Sequence, residues 1–170
     1  CMTIRTIKTF PDPVLRKMAK KVTTFDDELK GLAHDMAETM YDAPGVGLAA
    51  NQIGVLLQIA VIDISEPEGE KKFITLVNPE ISEGQGCVTG DEGCLSVIEY
   101  TSSVDRYEKI KVTAQDLDGN ELEFEAEDFF ARVIQHEVDH LHGKLFIDRI
   151  SPLKRNLYKK KLKKLLKTTA

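Results

Sequence analysis

Residues 126–143 read AEDFFARVIQHEVDHLHG, and this stretch decides the fold and the chemistry expected of the chain. Its apolar side chains recur with the period of an amphipathic helix, about 3.6 residues. Gly143 follows the last apolar residue, where a glycine commonly ends a helix. We therefore predict an amphipathic helix that ends just before Gly143. Its apolar positions are Phe130, Val133, Ile134 and Leu141.

His136 and His140 stand four residues apart on this helix, with Glu137 beside the first. Positions i and i+4 lie on one face, so both imidazoles can bind a single ion. Glu137 is displaced by about 100° around the helix, near enough to take a proton from a water at that ion. A chance pair of surface histidines is the alternative. Three of the four histidines fall within residues 136–142, which favours the metal.

Two histidines rarely hold a catalytic metal alone, so a third protein ligand is expected. The metzincin pattern H-E-x-x-H-x-x-G-x-x-H is excluded because its last position is Phe146. A downstream Glu is excluded because Asp148 is the only acidic residue after His140. The third ligand is therefore expected upstream. His34 and His142 are interpreted as non-ligands, since one lies in mid-helix and the other faces away.

The favoured upstream ligand is Cys94, within DEGCLS at residues 91–96. A thiolate binds borderline metals strongly, and the adjacent glycine lets the backbone approach closely. Cys87, seven residues earlier, is the rival. We favour Cys94 because Leu95 and Val97 begin an ordered apolar segment. Burial as a small apolar side chain is the alternative for any free cysteine.

Residues 44–54 read PGVGLAANQIG and combine glycines, alanines and two amides. They are not a phosphate-binding loop, because no G-K-[ST] follows and no strand precedes them. A tight helix-to-strand connection would explain Gly45 and Gly47. The functional alternative is a strip of accessible backbone that pairs with an extended peptide, with Gln52 donating a hydrogen bond to a developing oxyanion.

The 170 residues are expected to form one domain, with residues 151–170 as a basic C-terminal helix. The net charge is −5, but those last residues carry eight Lys and Arg and no acid, which leaves −13 for residues 1–150. Such a tail indicates a polyanionic partner or, alternatively, a solvated helix face. No apolar run approaches the roughly 20 residues of a membrane span, and no secretory leader is evident. We therefore expect a cytoplasmic protein without membrane contact.

Three cysteines are too few, and odd in number, for a disulfide framework. A reduced thiol that serves as a ligand or nucleophile is the better expectation. Cys1 precedes a methionine that resembles a natural start, and we expect it not to belong to the natural chain.

Two more helices are predicted. Apolar spacing indicates a helix over residues 24–43, with Thr24 and Asp27 as a capping box. An amphipathic helix is expected from Pro152 onward, and its apolar side comprises Leu153, Leu157, Leu162, Leu165 and Leu166.

Short β-rich runs predict strands at residues 56–64 and 72–81. Alternating polarity around Asp118 and Gly119 predicts a β-hairpin. Helices and antiparallel strands are segregated along the chain, so the expected class is α+β.

Three stretches together resemble the signature motifs of the peptide deformylase family: GVGLAANQ (45–52), EGCLS (92–96) and QHEVDHLHG (135–143). The likeness extends from PDPVLRKMAK (11–20) to GKLFIDRISPLK (143–154). One motif alone is weak, but three in this order are specific. The resemblance implies antiparallel sheets packed around a central H-E-x-x-H helix. It also implies hydrolysis of the N-formyl group from the initiator methionine of nascent chains, with release of formate.

The resemblance assigns a role to each matching residue. It implies that Cys94, His136 and His140 bind the metal, with Glu137 as general acid and base. It also implies that Gln52 and the Leu95 N–H stabilise the oxyanion. The peptide would lie as an added strand on Gly45, Val46 and Gly47, with Val46, Phe129 and Val133 around the methionine side chain.

The resemblance further implies Fe(II) as the natural metal, with Zn, Ni or Co able to replace it. Nitrogen and sulfur ligands by themselves favour zinc. N-formylmethionyl nascent peptides would be the substrates. The basic residues 151–170 are expected to dock on the ribosome, whose RNA is polyanionic, and no DNA partner is expected.

Three positions depart from the family pattern. Ile98 stands where proline is common, Thr101 where an arginine is often found, and Arg132 where an aliphatic residue is usual. These changes leave the metal chemistry intact but affect the expected pocket. Two other functions compete: a metallopeptidase of unformylated peptides, and a binding module with a structural metal. The second explains neither Glu137 nor Gln52.

Overall fold

The computed structural model describes residues 4–169, so the expectation for Cys1 lies outside the described residues. Three α-helices and seven strands form this part of the chain. The helices are α1 (Asp27–Asp42), α2 (Asp128–Leu141) and α3 (Pro152–Thr169). The strands are β1 (Gly47–Ala49), β2 (Ile59–Asp63), β3 (Phe73–Gln85), β4 (Val88–Cys94), β5 (Val97–Arg106), β6 (Lys109–Gln115) and β7 (Glu121–Glu127).

The strands form two antiparallel sheets. Five strands make the larger sheet in the order β1-β2-β3-β6-β7, and β4 pairs with β5 in a separate hairpin. Helix α2 follows directly after β7 and packs against β1 and β2 of the larger sheet. This arrangement confirms the predicted α+β class, and α2 is the helix that carries His136 and His140.

The strand boundaries differ from the sequence prediction. β2 covers only residues 59–63, whereas β3 continues to Gln85 because it pairs first with β2 and then with β6. The hairpin β6–β7 is confirmed. Gln115 lies opposite Glu121, and Gly119 in the turn has a φ of +85°.

Helix α1 is capped by a residue other than the predicted one. Asp26 has an extended backbone, and its Oδ1 accepts a hydrogen bond from the Leu29 N–H at 3.0 Å. The predicted capping box of Thr24 and Asp27 is therefore wrong, because the helix begins at Asp27 and the capping position falls on Asp26 instead of Thr24.

Helix α3 confirms the predicted C-terminal helix but divides its apolar side. Among residues 152–167, Tyr158 and Leu162, one turn apart, are the buried ones, and both pack beside the hairpin. The Tyr158 hydroxyl donates a hydrogen bond to the Ile98 carbonyl at 3.2 Å. The exposed leucines are Leu153, Leu157 and Leu166. No helix within residues 4–169 combines the length and apolar character that crossing a membrane requires.

Gly143 ends α2 at a position where a side chain does not fit. Its φ is +76°, and an added Cβ would lie 2.5 Å from the Arg16 carbonyl oxygen. We expect Gly143→Ala to lower the free energy of unfolding by roughly 3 kcal/mol, because backbone strain and the clash add. Urea denaturation followed by circular dichroism measures this change.

Gly31→Ala is the matched control. Gly31 lies within α1, and an added Cβ there would meet no atom within 4 Å. Alanine should stabilise a helix interior by about 0.5–1 kcal/mol relative to glycine. A similar loss of stability in both variants would contradict the role given to Gly143.

Candidate active site

Three side chains from two elements meet at one point. Cys94 ends β4, whereas His136 and His140 lie on α2, and their ligand atoms are all within 4.8 Å of one another. Nε2 of His140 is 3.3 Å from Sγ of Cys94 and 3.2 Å from Nε2 of His136. Tetrahedral metal bonds of about 2.1–2.3 Å separate ligand atoms by roughly 3.4 Å. The dimensions and the donor set therefore fit one divalent ion.

The rejected ligand candidates lie elsewhere. Cys87 is exposed and precedes β4, a seven-residue strand whose far end, roughly 20 Å away, carries Cys94. The two remaining histidines are also exposed. Phe146, at the position of the metzincin ligand, is buried, and its ring stacks on His136 with centroids 6.1 Å apart. The structure thus brings together the favoured three residues and none of the alternatives.

Glu92, which the sequence reasoning missed, orients His136. Its Oε1 lies 2.9 Å from Nδ1 of His136, so Nε2 is the nitrogen directed at the cluster. An ionised carboxylate at Nδ1 fixes the tautomer and leaves the Nε2 lone pair for a metal. The sequence signal that could have identified Glu92 is its spacing from Cys94. Glu92 stands two residues before Cys94, and alternate residues of a strand share a face.

Two buried arginines neutralise Glu92. Arg106 donates two hydrogen bonds to its carboxylate at 2.8 and 2.9 Å, and Arg132 donates one at 2.6 Å. Burial by itself would raise the pKa of Glu92. The hydrogen bonds from Arg106 and His136 outweigh it and lower the pKa to about 2. Glu92 is therefore ionised at neutral pH despite its burial.

Asp139 extends this network along α2. It accepts a hydrogen bond from Arg106 at 2.6 Å and two from Arg149 at 2.6 and 2.8 Å. Because Asp139 immediately precedes His140, the bond from Arg106, at the end of β5, fixes the rotation of α2 relative to the hairpin. The orientation of both histidines follows from that rotation.

The positions that depart from the family pattern have defined environments. Arg132 is 8% exposed and donates to the carbonyls of Val88 at 2.7 Å and Val104 at 2.9 Å. It therefore joins α2 to both strands of the hairpin. Ile98 is partly exposed and is held through its carbonyl. Thr101 is exposed on β5, beside the cleft described below.

Gln52 points its amide nitrogen at the cluster. The Ala49 N–H donates to its Oε1 at 3.0 Å, which settles the orientation of the amide. Nε2 then lies 3.1 Å from Ser96 Oγ and 3.6 Å from Cys94 Sγ. Gln52 is 1% exposed. It is thus a neutral, fixed donor next to the predicted metal position.

Glu137 is confined beside the cluster. It is 3% exposed, its Oε1 lies 3.8 Å from Nε2 of His136, and its Oε2 has no hydrogen-bond partner among the described residues. Burial raises its pKa to about 7. The backbone of Gly47 packs closely against the Glu137 side chain, because an added Cβ at Gly47 would lie 3.0 Å from it.

A cleft of about 530 Å³ opens above these residues. Its floor holds Gln52, His136 and Glu137, and its rim includes Val46 and Phe129, which are 45% and 64% exposed. The other predicted substrate-binding residues, Gly45, Gly47 and Val133, also line it, as does Leu95, the predicted oxyanion donor.

One side of the cleft is the free edge of the larger sheet, formed by β1. The Val46 carbonyl accepts a hydrogen bond from the Asp63 N–H at 2.9 Å. Because the C=O and N–H of one peptide unit point in opposite directions, the Gly47 N–H faces the cleft. An extended peptide could pair with this edge.

Two imidazoles, a thiolate and a buried carboxylate on the floor of a peptide-sized cleft are typical of mononuclear metallohydrolases. Comparison with known proteins narrows this class. The family model described as polypeptide deformylase matches residues 4–156.

Relatives and solved structures agree with that match. The peptide deformylase of Desulfotalea psychrophila is 53% identical over 96% of this chain and 97% of its own. That of Syntrophobacter fumaroxidans is 48% identical over 98% of each. The crystal structure of a peptide deformylase from Legionella pneumophila has a TM-score of 0.90 at 48% identity and covers 98% of both chains. The chain therefore belongs to the polypeptide deformylase family and is an enzyme of that class.

The lowered pKa of Glu92 predicts how stability depends on pH. With a folded pKa of about 2 against an ordinary value of 4.5, the ionised form stabilises the fold above about pH 4.5. This contribution, about 3 kcal/mol, is lost as pH falls toward 2. We expect Glu92→Gln to lower the unfolding free energy at pH 7 by roughly 3–5 kcal/mol, since buried arginines lose their counter-charge. In this variant the unfolding free energy should depend less steeply on pH between about pH 5 and pH 3.

Urea denaturation at several pH values tests this expectation. Glu123→Gln is the control, because Glu123 is an exposed carboxylate paired with Lys111 on the larger sheet. It should change stability by less than about 1 kcal/mol. An unchanged pH slope in Glu92→Gln would show that the network does not hold Glu92 ionised.

Proposed function

We propose that this enzyme hydrolyses the N-formyl group of the initiator methionine of nascent polypeptides and releases formate. The observation that carries the proposal is the position of Glu137. Its free carboxylate oxygen is buried on the floor of a cleft, next to the Cys94, His136 and His140 cluster. A buried carboxylate without a partner is costly to the fold, and a proton-transfer role accounts for it.

Cys94, His136 and His140 would hold one divalent ion, with Fe(II) as the native metal and Zn, Ni or Co as substitutes. Such an ion polarises a carbonyl and lowers the pKa of a water molecule. Three protein ligands would leave one position of a tetrahedral ion for water or substrate, which is typical of catalytic sites and not of structural ones. Glu92 and the hydrogen bond from Gln52 to Cys94 hold these side chains in place.

Glu137 is the proton carrier in this proposal. It takes a proton from the attacking water and returns it to the amine that leaves. Burial raises its pKa to about 7, and a cation held by Cys94, His136 and His140 would lower that value and favour the basic form. The confinement of Glu137 by Gly47 keeps the carboxylate at the floor of the cleft.

Gln52 and the N–H of Leu95 would stabilise the oxyanion. The Gln52 Nε2 is already fixed by Ala49 and lies beside Cys94. Leu95 follows Cys94 directly and lines the same cleft. Donors fixed before the reaction lose little free energy to reorganisation when charge develops.

The peptide would lie as an added strand along β1, with the Gly47 N–H as one hydrogen-bond donor. Gly45 lies two residues before β1, and an added Cβ there would approach the Leu95 side chain at 2.9 Å. The methionine side chain would contact Val46, Phe129 and Val133, which provide apolar surface on the floor and rim.

The central test is formate release from formyl-Met-Ala-Ser, assayed without oxygen after loading with Fe(II). We expect Glu137→Ala to lose about 10²–10⁴ in kcat and Gln52→Ala about 10²–10³. Both should retain one metal per chain by elemental analysis, because neither side chain is a ligand. Glu38→Ala, an exposed residue of α1, should remain fully active.

Unformylated Met-Ala-Ser separates this reaction from the metallopeptidase alternative. Cleavage of an internal peptide bond, or near-normal turnover by Glu137→Ala, would refute the proposed scheme. The comparisons do not favour that alternative, since the matched relatives are peptide deformylases.

We further propose that residues 1–170 act as one cytoplasmic catalytic domain whose basic helix docks on the ribosome. Helix α3 presents its exposed lysines next to Leu153 and Leu157, which are 70% and 57% exposed. This combination suits a surface that is both polyanionic and partly apolar. Tyr158 and Leu162 are the buried side chains that anchor this helix among residues 152–167.

Neutralising exposed lysines of α3 tests whether this helix docks on the ribosome. We expect Lys159→Gln, Lys160→Gln and Lys163→Gln together to weaken ribosome co-sedimentation at least tenfold, since each phosphate contact adds to a salt-dependent affinity. The control neutralises Lys71, Lys72 and Lys144, which are exposed elsewhere on the protein. An equal loss of ribosome co-sedimentation in both triple variants would show that only the net charge matters. It would contradict docking through α3.

A further inference from the structure

The first residues of strand β5 form one wall of the cleft. The residues that line it there are Val97, Glu99, Tyr100 and Thr101. Cys94 is paired with Val97 and Gly93 with Thr101, so in the described ladder residues 98–100 form a bulge without a partner on β4. A bulge leaves backbone groups that the ladder does not satisfy. Residues 98–100 therefore need support from outside the hairpin.

Glu99, at the centre of this bulge, has a strained backbone. Its φ is +50°, in the left-handed region that residues other than glycine rarely adopt. For a residue with a Cβ, this region is disfavoured by about 5- to 30-fold in population. Such a conformation persists only where the surrounding structure fixes it. The bulge would therefore relax if the contacts that fix it were removed.

Helix α3 supplies one contact to each residue of the bulge. The Tyr158 hydroxyl donates a hydrogen bond to the Ile98 carbonyl at 3.2 Å, and Lys161 Nζ donates one to the Glu99 carbonyl at 3.0 Å. The Tyr158 ring stacks on the Tyr100 ring, with centroids 4.6 Å apart. Tyr158 is 1% exposed, so its own position is fixed by packing. Two side chains of one helix thus hold three consecutive residues of β5.

We propose that Tyr158 and Lys161 are positioning residues for substrate binding. Neither lines the cleft, but by holding residues 98–100 they keep its wall in the conformation that accepts the peptide. This inference rests on the proposed deformylation. Loss of the two hydrogen bonds should raise KM and leave kcat and the metal content unchanged, because His136 and Glu137 are held by other contacts.

The test removes the two donors and keeps the bulk of both side chains. Tyr158→Phe retains the buried ring and its stacking, and Lys161→Met retains an unbranched apolar chain. In the Fe(II)-loaded double variant we expect KM for formyl-Met-Ala-Ser to rise about five- to tenfold, since each hydrogen bond shifts an equilibrium by about 2- to 12-fold. A kcat within about twofold of wild type would show that binding, and not chemistry, is affected.

The matched control is the double variant Tyr107→Phe, Lys144→Met, which removes the same two donor groups elsewhere. Tyr107 is 52% exposed and Lys144 is also exposed, and neither lines the cleft. Its KM and kcat should equal those of the wild type.

A further substitution tests whether the backbone of Glu99 is what relaxes. Glycine adopts a positive φ without strain, whereas alanine keeps the penalty of a Cβ. Both substitutions remove the carboxylate, so the loss of charge is the same. When each is added to the Tyr158→Phe, Lys161→Met variant, Glu99→Gly should give a KM about fivefold lower than Glu99→Ala.

Hydrogen exchange measures the support of the bulge without catalysis. Mass spectrometry of the Tyr158→Phe, Lys161→Met variant should show amide exchange in residues 97–101 about fivefold faster than in the wild type, because local opening becomes easier. Exchange in β6, at residues 109–115, should not change.

The outcomes are distinct. Unchanged exchange in residues 97–101 would show that α3 does not hold the bulge. Faster exchange with an unchanged KM, an equal rise of KM in the control, or equal KM values for Glu99→Gly and Glu99→Ala would overturn positioning for substrate binding. Absence of formate release by the wild type would instead overturn the proposed function, and the role in substrate binding with it.

Discussion

Glu92 accepts hydrogen bonds from Arg106, Arg132 and His136, and this shared carboxylate connects the hairpin β4–β5 to helix α2. The predicted metal ligands are divided between these two elements, with Cys94 on one and both histidines on the other. Burying three charges together is costly unless each is paired with good geometry. The 2.6–2.9 Å contacts around Glu92 meet that condition, so the assembly of the site depends on them.

The candidate metal ligands could be predicted from the spacing of residues in the sequence. The interval between His136 and His140 places both on one helix face, and elimination of downstream candidates pointed to Cys94. The α+β class followed from segregated helices and strands. The hairpin around Gly119 could be read from alternation and turn residues, since these signals are local and depend on the covalent chain alone.

The residues that hold the candidate ligands in place could not be predicted from the sequence in this way. A single sequence does not distinguish Glu92 or Asp139 from a solvated acid, because burial and arginine partners arise only when distant segments meet. Strand β4 is polar in sequence and lacks a clear apolar alternation, so its pairing with β5 gave no local signal. In α3, periodicity identified the helix but not which strip of it packs, and Tyr158 was overlooked.

The close approach of Gly47 to Glu137 has a consequence for when order is acquired. A free glutamate samples several rotamers, and restricting them costs about 1.5–2 kcal/mol of side-chain entropy. Here the backbone of Gly47 restricts Glu137 in the folded protein, before any substrate arrives. The ordering cost is thus met once, during folding, and does not recur in each reaction cycle. If Glu137 is the base, as proposed above, its carboxylate is already in position when the substrate binds.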